Sequence, residues 1–386
     1  MNILLYDMTS YIQNDLIFYL EKAGHHCKNV IYHFPNQEDD PFFMSKFQKI
    51  IKDGNFDFIM STNFFPLVAK LSYEHNLKYL SWSYDSPVNH KHIKKYNYPT
   101  NYIFLFDKKE VSELNAQGIE NVYHLPLATN TERLDKLIPS ADEHTLFDCD
   151  ISFLGQLYNN KSKELLSYLS KDDQNIIENL IQRQYDTFGK NIIKDEITKT
   201  YSLHLISQLK GTIFNPDTFC QESFEHLFLR EVSHRERINI LKALSQNHNF
   251  KFYSTDKLPK ELSKVELLGT ANYFTQMPKI FKSSTINLNS CLRSIESGIP
   301  LRCLDIMGCG GLLMSNWQKE LVDEFQDGEN CIIYSSIEEA AEKADYYIKR
   351  KDKCKSMAFA GYNKVKEEYN YPSRLKTMFS TAKINC

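Results

Sequence analysis

The chain has 386 residues, 42% hydrophobic and 25% charged, with a net charge of −3. That length exceeds one ordinary core and suits two domains, while the near-neutral charge argues against a nucleic-acid groove or a polybasic membrane surface. No apolar run approaches the ~20 residues a membrane span needs, and residues 1–7 lack the basic start and cleavage site of a secretory signal. The nine cysteines are scattered, with no C-x-x-C pair, and read as reduced thiols of a cytoplasmic protein rather than a disulfide framework or zinc site.

In chain order, the first third alternates strand and helix. Strands are read over 3–6, 28–32, 56–60, 78–82, 102–106 and 122–125, and helices over 15–23, 42–53, 67–75 and 108–117. Gly24 and Gly54 stop the first two helices. Strands alternating with helices of this length mean βαβ units and a parallel sheet. Residues 126–144 read as a connection. A second series follows, with strands over 150–154, 250–253, 285–288, 311–315 and 331–334. Its helices are read over 235–246, 301–307, 319–325, 337–349, 352–369 and 373–383. Residues 158–230 interrupt this second half. They are polar and place Leu165, Leu166, Leu169 and Ile176, Ile177, Leu180, Ile181 at i, i+3, i+4 spacing, which predicts an all-helical insertion.

The expected architecture is α/β, with two Rossmann-like domains facing each other across a cleft. The first spans 1–135. The second spans 145–365 and carries the insertion, and a helical segment over 366–386 is placed to cross back to the first domain. Ligands of open parallel sheets bind beyond the carboxyl ends of the strands, so functional residues are sought just after strands in both halves.

One segment concentrates the chemistry. A strand ending in Asn289 is followed by a loop, then by Gly298, Ile299, Pro300, Leu301, Arg302 and Asp305, and a helix end with Gly308, Gly310 and Gly311. Pro300 suits the start of a helix. Arg302 falls beside the free N–H groups of its first turn, and Asp305 lies three residues on, on the same face. A helix N-terminus with an Arg fork makes a diphosphate site, and a carboxylate one turn further can accept ribose hydroxyls. The chain has thirteen glycines, about half the ordinary ~7%, and four lie between 298 and 311. The plainer alternative is a surface helix with a glycine cap and an Arg–Asp ion pair.

The stretch from Ile286 through Asn316 resembles the donor-binding motif of GT-B glycosyltransferases, in particular the spore-maturation CgeB-like branch. The shared pattern is a strand ending in Leu288-Asn289, then Gly298-Ile299-Pro300-Leu301-Arg302, an acidic residue three after the arginine, and a Gly-rich helix end. Residues 81–87 (Ser-Trp-Ser-Tyr-Asp-Ser-Pro), 101–107 and 118–127 are similar to segments of the N-terminal domain paired with that branch, and 151–155 to the opening of its second domain. The resemblance implies a glycosyltransferase that binds a nucleoside diphosphate-sugar, with a UDP-sugar favoured. It also implies a surface glycan, spore-coat component or bacterial surface protein such as flagellin as acceptor. Many GT-B enzymes carry an E-x7-E pair of glutamates; here the acidic position is Asp305 and the first carboxylate is missing, with Glu296 only nearby, which leaves retaining or inverting transfer open. Two other readings stay open: a non-catalytic nucleotide-sugar-binding partner of another transferase, and a sugar-nucleotide epimerase.

Further candidates follow strands. Asp85 stands after the strand over 78–82 as a general base for an acceptor hydroxyl, with an Asp-capped turn as the alternative. Asp7, Asn63, Phe65, Trp82 and Ser86 are read as the acceptor side, and His90, His92 and His124 as near it. Gly155 follows the first strand of the second half, where a bare backbone admits a diphosphate. Arg235 and Arg237 are read at the start of a helix, and Arg235 is favoured as a phosphate ligand. The Asp148-Cys149-Asp150 triplet matches the metal pattern of a different glycosyltransferase fold, but no metal or cofactor is expected here beyond the sugar nucleotide. Neither G-x-G-x-x-G after the first strand nor a P-loop occurs, so a dehydrogenase and a P-loop NTPase are excluded.

Overall fold

The structure, a computed structural model, describes residues 1–385. In chain order the first elements are β1 (Asn2–Asp7), α1 (Gln13–Lys22), β2 (His26–Ile31), α2 (Pro41–Asp53), β3 (Phe58–Thr62) and α3 (Pro66–Glu74). Next come β4 (Lys78–Ser83), α4 (His90–Lys95), β5 (Asn101–Leu105), α5 (Lys108–Ala116), β6 (Val122–His124), α6 (Thr131–Asp135) and α7 (Ala141–Phe147). Then follow β7 (Cys149–Leu154), α8 (Ser162–Ser167), α9 (Lys171–Tyr185), α10 (Ile192–Glu196), α11 (Lys199–Gln208) and α12 (Gln221–Leu244). After these come β8 (Phe250–Tyr253), β9 (Glu266–Leu267), α13 (Met277–Ser283), β10 (Ser284–Asn289), α14 (Leu301–Gly308), β11 (Leu313–Asn316) and α15 (Lys319–Glu324). The chain closes with β12 (Ile332–Tyr334), α16 (Ile337–Ile348), α17 (Lys351–Glu368) and α18 (Tyr371–Thr381).

The chain divides into two compact units, unit 1 being Met1–Arg133, Gly298–Leu304 and Lys364–Cys386, and unit 2 being Leu134–Ser297 and Asp305–Asn363. Each holds one six-stranded sheet with every pair parallel, ordered β2-β1-β3-β4-β5-β6 in unit 1 and β12-β11-β10-β7-β8-β9 in unit 2. A parallel sheet is covered on both faces, so its central strands are apolar throughout. Ile3 to Tyr6 of β1 are all fully buried, as are Phe58 to Met60 of β3. In unit 1 the core joins Leu4, Tyr6, Phe43, Phe47, Ile59 and Ile103. α18 belongs to the same unit. Asn370 caps it through the Ser373 N–H, Tyr371 stacks on Tyr19 at 5.0 Å, and Lys78 Nζ donates to Ala382 O at 2.7 Å.

From Ser162 to Leu244 the described elements are helical, and α8 to α12 enclose a core of their own around Leu165, Ile177, Leu180, Leu205 and Phe224. Here the sequence expectation needs correction. The helix read from 235 begins at Gln221 and runs 24 residues. Its first half packs Phe224, Phe228 and Val232 into the helical core, and its second half packs Ile238, Leu241 and Leu244 into the core of the unit 2 sheet. A helix that changes neighbours midway changes its apolar face, so a single periodic window finds only the second half. The connection over 126–144 likewise holds α6 and α7, the latter started by a capping box of Ser140 and Glu143. Three short elements, α4, β9 and α13, were not expected. Among the described residues no helix is long and apolar enough to cross a membrane.

Candidate functional site

In unit 2 the strand order reverses between β7 and β10. That is the topological switch point, where open α/β sheets place their ligands. The loops that leave these strands start at Gly155 and Ser290. One side chain ties them together: the guanidinium of Arg237, 5% exposed, donates through Nη1 to Gln156 O and through Nη2 to Ser290 O. It also lies 4.1 Å from the ring centroid of Tyr158, a residue held at φ 59°, where a bulky side chain is strained. Among the described residues Arg237 forms no ion pair. A Cβ on Gly155 would stand 3.4 Å from Arg237 Nη1 and 3.2 Å from the Phe153 ring, so this glycine makes room for the guanidinium.

Arg235, preferred from sequence, is a correction. It lies inside α12, not at its start, and faces away: its guanidinium is shared by Glu178, at 2.5 Å, and Glu231, at 2.9 Å. Two residues along a helix turn a side chain by ~200°, so only one of the pair can face the sheet. Arg237 lies four residues before the core residue Leu241 and takes that face. Sequence reasoning also missed Arg293 and Glu236, a buried pair at 2.6 Å. Arg293 further donates to Thr187 O and Tyr185 O and sits 3.6 Å over Phe188, which fixes the loop after β10 to the helices.

At the carboxyl ends of β10, β11 and β12 several buried polar atoms have no hydrogen-bond partner: Ser290 Oγ, Asn316 Nδ2, Tyr334 Oη and, beside them in the fold, Arg237 Nε. Such atoms are rare in protein interiors. Burial, with the nearby Glu236 carboxylate, raises the Tyr334 phenol well above its usual value. Asn289 is not among these atoms. Its Nδ2 donates to Ser315 Oγ at 3.0 Å and it is 5% exposed, so it joins β10 to β11.

Arg302 is half-buried in the first turn of α14, and Pro300 directly precedes that helix. Asp305 is 1% exposed and accepts from Tyr273 Oη at 3.3 Å, so its carboxylate is buried rather than on the surface. Ile299 is buried; Pro300 and Leu301 are half-buried. Gly298 has a packing reason of its own, since a Cβ there would meet the Phe106 ring at 2.7 Å and Phe106 O at 2.9 Å. The remaining glycines end the helix. Gly310 adopts φ 76° and donates to Met307 O, and Gly311 would clash with Asn287 and Phe281 O if it had a Cβ.

In unit 1 the order reverses between β1 and β3, again a switch point. Thr9 after β1 and Asn63 after β3 both have positive φ, 61° and 71°. Asp7 closes its turn by accepting from the Ser10 N–H at 2.8 Å. Asn63 is brought to Asp85: its Nδ2 donates to Asp85 Oδ2 at 2.8 Å, and its Oδ1 accepts from the Tyr84 N–H at 2.9 Å. Asp85 itself is exposed. Ser86 Oγ and His90 Nε2 turn to Glu110, which sequence reasoning missed, at 3.1 and 2.7 Å. Trp82 is corrected from acceptor wall to core, being fully buried against Tyr84 and Tyr371. Phe65 packs on Tyr6 in the core, and His92 pairs with Glu38 at 3.4 Å. The Asp148–Asp150 triplet is at the amino end of β7, opposite the switch point, where Asp150 accepts from the Asn249 N–H.

Three comparisons bear on these sites. Residues 230–380, which include Arg237, the loop after β10 and α14, match the family model described as glycosyl transferase-like. No curated protein sequence matches the chain. Among solved structures the chain is similar to sucrose-phosphate synthase from Thermosynechococcus elongatus, 10% identical with TM-score 0.60, over 99% of this chain and 98% of that one. It is similar also to a glycosyltransferase from Rickettsia africae, 13% identical with TM-score 0.58, over 99% and 97%. The Anabaena HepE protein in complex with UDP-glucose is 9% identical with TM-score 0.59, over 99% of both chains. The chain therefore has the fold of these structures, the GT-B fold, and its residues 230–380 are similar to the glycosyl transferase-like family.

Proposed function

We propose that the chain is a glycosyltransferase that binds a nucleoside diphosphate-sugar, preferably a UDP-sugar, and transfers a hexosyl or N-acetylhexosaminyl group to a glycan or protein acceptor. The observation that carries this reading is Arg237, a buried cation without a carboxylate at the switch point of unit 2. Burying an unpaired charge costs several kcal/mol, and a diphosphate beside these loops offsets that cost. The UDP-glucose complex of the similar HepE structure supports the donor class. Arg302 and the N-terminus of α14 are proposed to hold the diphosphate, and Asp305 the ribose hydroxyls. The acceptor is a surface polysaccharide, a spore-coat component or a surface protein such as flagellin.

Transfer displaces the nucleoside diphosphate from the anomeric carbon. Guanidinium charge and helix N–H groups stabilise the departing anion, and the reaction is proposed to need no divalent metal. In an inverting transfer Asp85 takes the acceptor proton; a retaining transfer leaves it without that role, and product stereochemistry separates the two. The eight described cysteines are free thiols, which suits the cytoplasm.

A thermal-shift panel of UDP, GDP, dTDP and their sugars tests the donor site. The UDP series should stabilise most, and the effect should vanish in Arg302→Ala and Asp305→Ala. Variants that respond like the wild type refute the site. Donor binding without release of nucleoside diphosphate under any acceptor condition favours the non-catalytic partner.

A further inference from the structure

We infer that Glu110 is the positioning residue of the acceptor side, holding in place the loop that carries Asp85; this rests on the proposed role of Asp85. The loop between β4 and α4 leaves the sheet at Ser83 and enters the helix at His90. Glu110 belongs to the neighbouring βα unit, in the first turn of α5, where Asp107 caps the helix by accepting from the Lys109 and Glu110 N–H groups. A glutamate in that turn ordinarily faces water, as a favourable charge at a helix N-terminus. Glu110 is instead 6% exposed.

All of its partners come from the one loop. Oε1 accepts from the Val88 N–H and bonds His90 Nε2, both at 2.7 Å, and Oε2 accepts from Ser86 Oγ at 3.1 Å. Burial pushes the Glu110 carboxyl up, and the bonds to His90 and the Val88 N–H pull it back towards the ionised form. From the other side Asn63 holds the Tyr84 N–H and the Asp85 carboxylate, at 2.9 and 2.8 Å. The loop is therefore fastened at Tyr84–Asp85 and again at Ser86–His90. Asp85, held at the first of these anchors, remains exposed. Both oxygens of Glu110 are used, and an amide has only one acceptor oxygen. Gln at this position has an NH2 in place of the oxygen that accepts from Ser86, so that hydroxyl must turn from donor to acceptor, and the bonds to Val88 and His90 lose the carboxylate charge that strengthens them.

The test compares E110Q, E110D, D85N and the E110Q/D85N double variant by UDP release from UDP-glucose and UDP-N-acetylglucosamine, with water or added glycan as acceptor. Misplacing a reacting group by about 1 Å costs on the order of 100-fold in rate. E110Q should therefore lose kcat on that scale, with KM for the donor within about twofold of wild type, and E110D should recover part of the loss. The double variant should be no slower than D85N, because a residue that acts through Asp85 has nothing left to act on. Losses that multiply in the double variant, or wild-type kcat in E110Q, overturn the inference. If D85N turns over like the wild type, or the wild type releases no UDP, the Asp85 reading fails and the inference with it. Should E110Q fail to fold, S86A and H90N each remove one anchor from the partly exposed side and should show the same kcat loss in weaker form; wild-type kcat in both overturns the inference.

Discussion

Replacing Arg237 with Met keeps much of the buried stem and removes the charge and the fork. Two hydrogen bonds, to Gln156 O and Ser290 O, are lost, and bonds to charged groups are worth about 1.5–3 kcal/mol each. The contact with Tyr158 at 4.1 Å adds about 1–2 kcal/mol. Against this stands the relief of no longer burying a guanidinium, which is several kcal/mol. The net expectation is a loss of about 2–4 kcal/mol, or roughly 4–16 °C in melting temperature for a domain of this size. Arg237→Lys keeps the charge, but one ammonium cannot serve two carbonyls on separate loops with a planar fork, so about half the loss should remain. The assay is thermal unfolding with and without UDP. If Arg237 only braced the loops, UDP would raise the melting temperature of R237M and of the wild type equally. If it supplies the field for a diphosphate, the UDP-induced shift should shrink in R237M, with affinity lower by about tenfold, or 1.4 kcal/mol. A wild-type melting temperature and an unchanged UDP shift in R237M would refute the reasoning.

Transfer should be insensitive to EDTA; a rate abolished by chelation and restored by a divalent cation sinks the proposal of metal independence. Gly310→Ala should cost about 1–2 kcal/mol, read by chemical denaturation, because Gly310 ends α14 at φ 76°; an unchanged midpoint would contradict the cap. Asp173→Asn should lower the melting temperature at neutral pH. Burial alone would raise this carboxyl, but Ser170, Gln208, His204 and Tyr201 donate to it and hold it below its usual range. Its stabilising contribution is complete above the ordinary value of about 4 and fades as pH falls through the lowered one. The gap between D173N and wild type should therefore narrow below about pH 4, and a constant gap refutes the assignment.

The fold was legible because its signals are local and repeated. Continuous apolar strands such as Ile3–Tyr6 and Phe58–Met60 announce a sheet covered on both faces, and Gly24 and Gly54 stop the first two helices. The site was legible only where position along the chain implies position in space. Residues just after strands, such as Asp85, Asn63 and Gly155, could be named because βα units put such residues at the carboxyl edge. What could not be named were the partners. Asn63 and Asp85 meet across two neighbouring strands, and Glu110 reaches back from the next βα unit to Ser86 and His90. No periodicity within one segment records either meeting.

Arg235 and Arg237 show where a local signal existed and was outweighed. Both were read at a helix start, where a cation would face a phosphate, yet the helix starts at Gln221. With that boundary moved, helical phase decides between them: Arg237 shares the face of Leu241 and Leu244, and Arg235 the face of Glu231 and Glu178. The same phase reasoning separates the glycines of the 298–311 segment. Gly298 is bare because Phe106 approaches it, Gly310 because the chain turns left-handed, and Gly311 because Phe281 O and Asn287 leave no space. With three of the four glycines accounted for by packing or backbone conformation, their clustering argues only weakly for a phosphate loop. The case for an anion then rests on charge. At the switch point of unit 2 two buried arginines, Arg237 and Arg293, face one buried carboxylate, Glu236. That imbalance is one a bound diphosphate would correct.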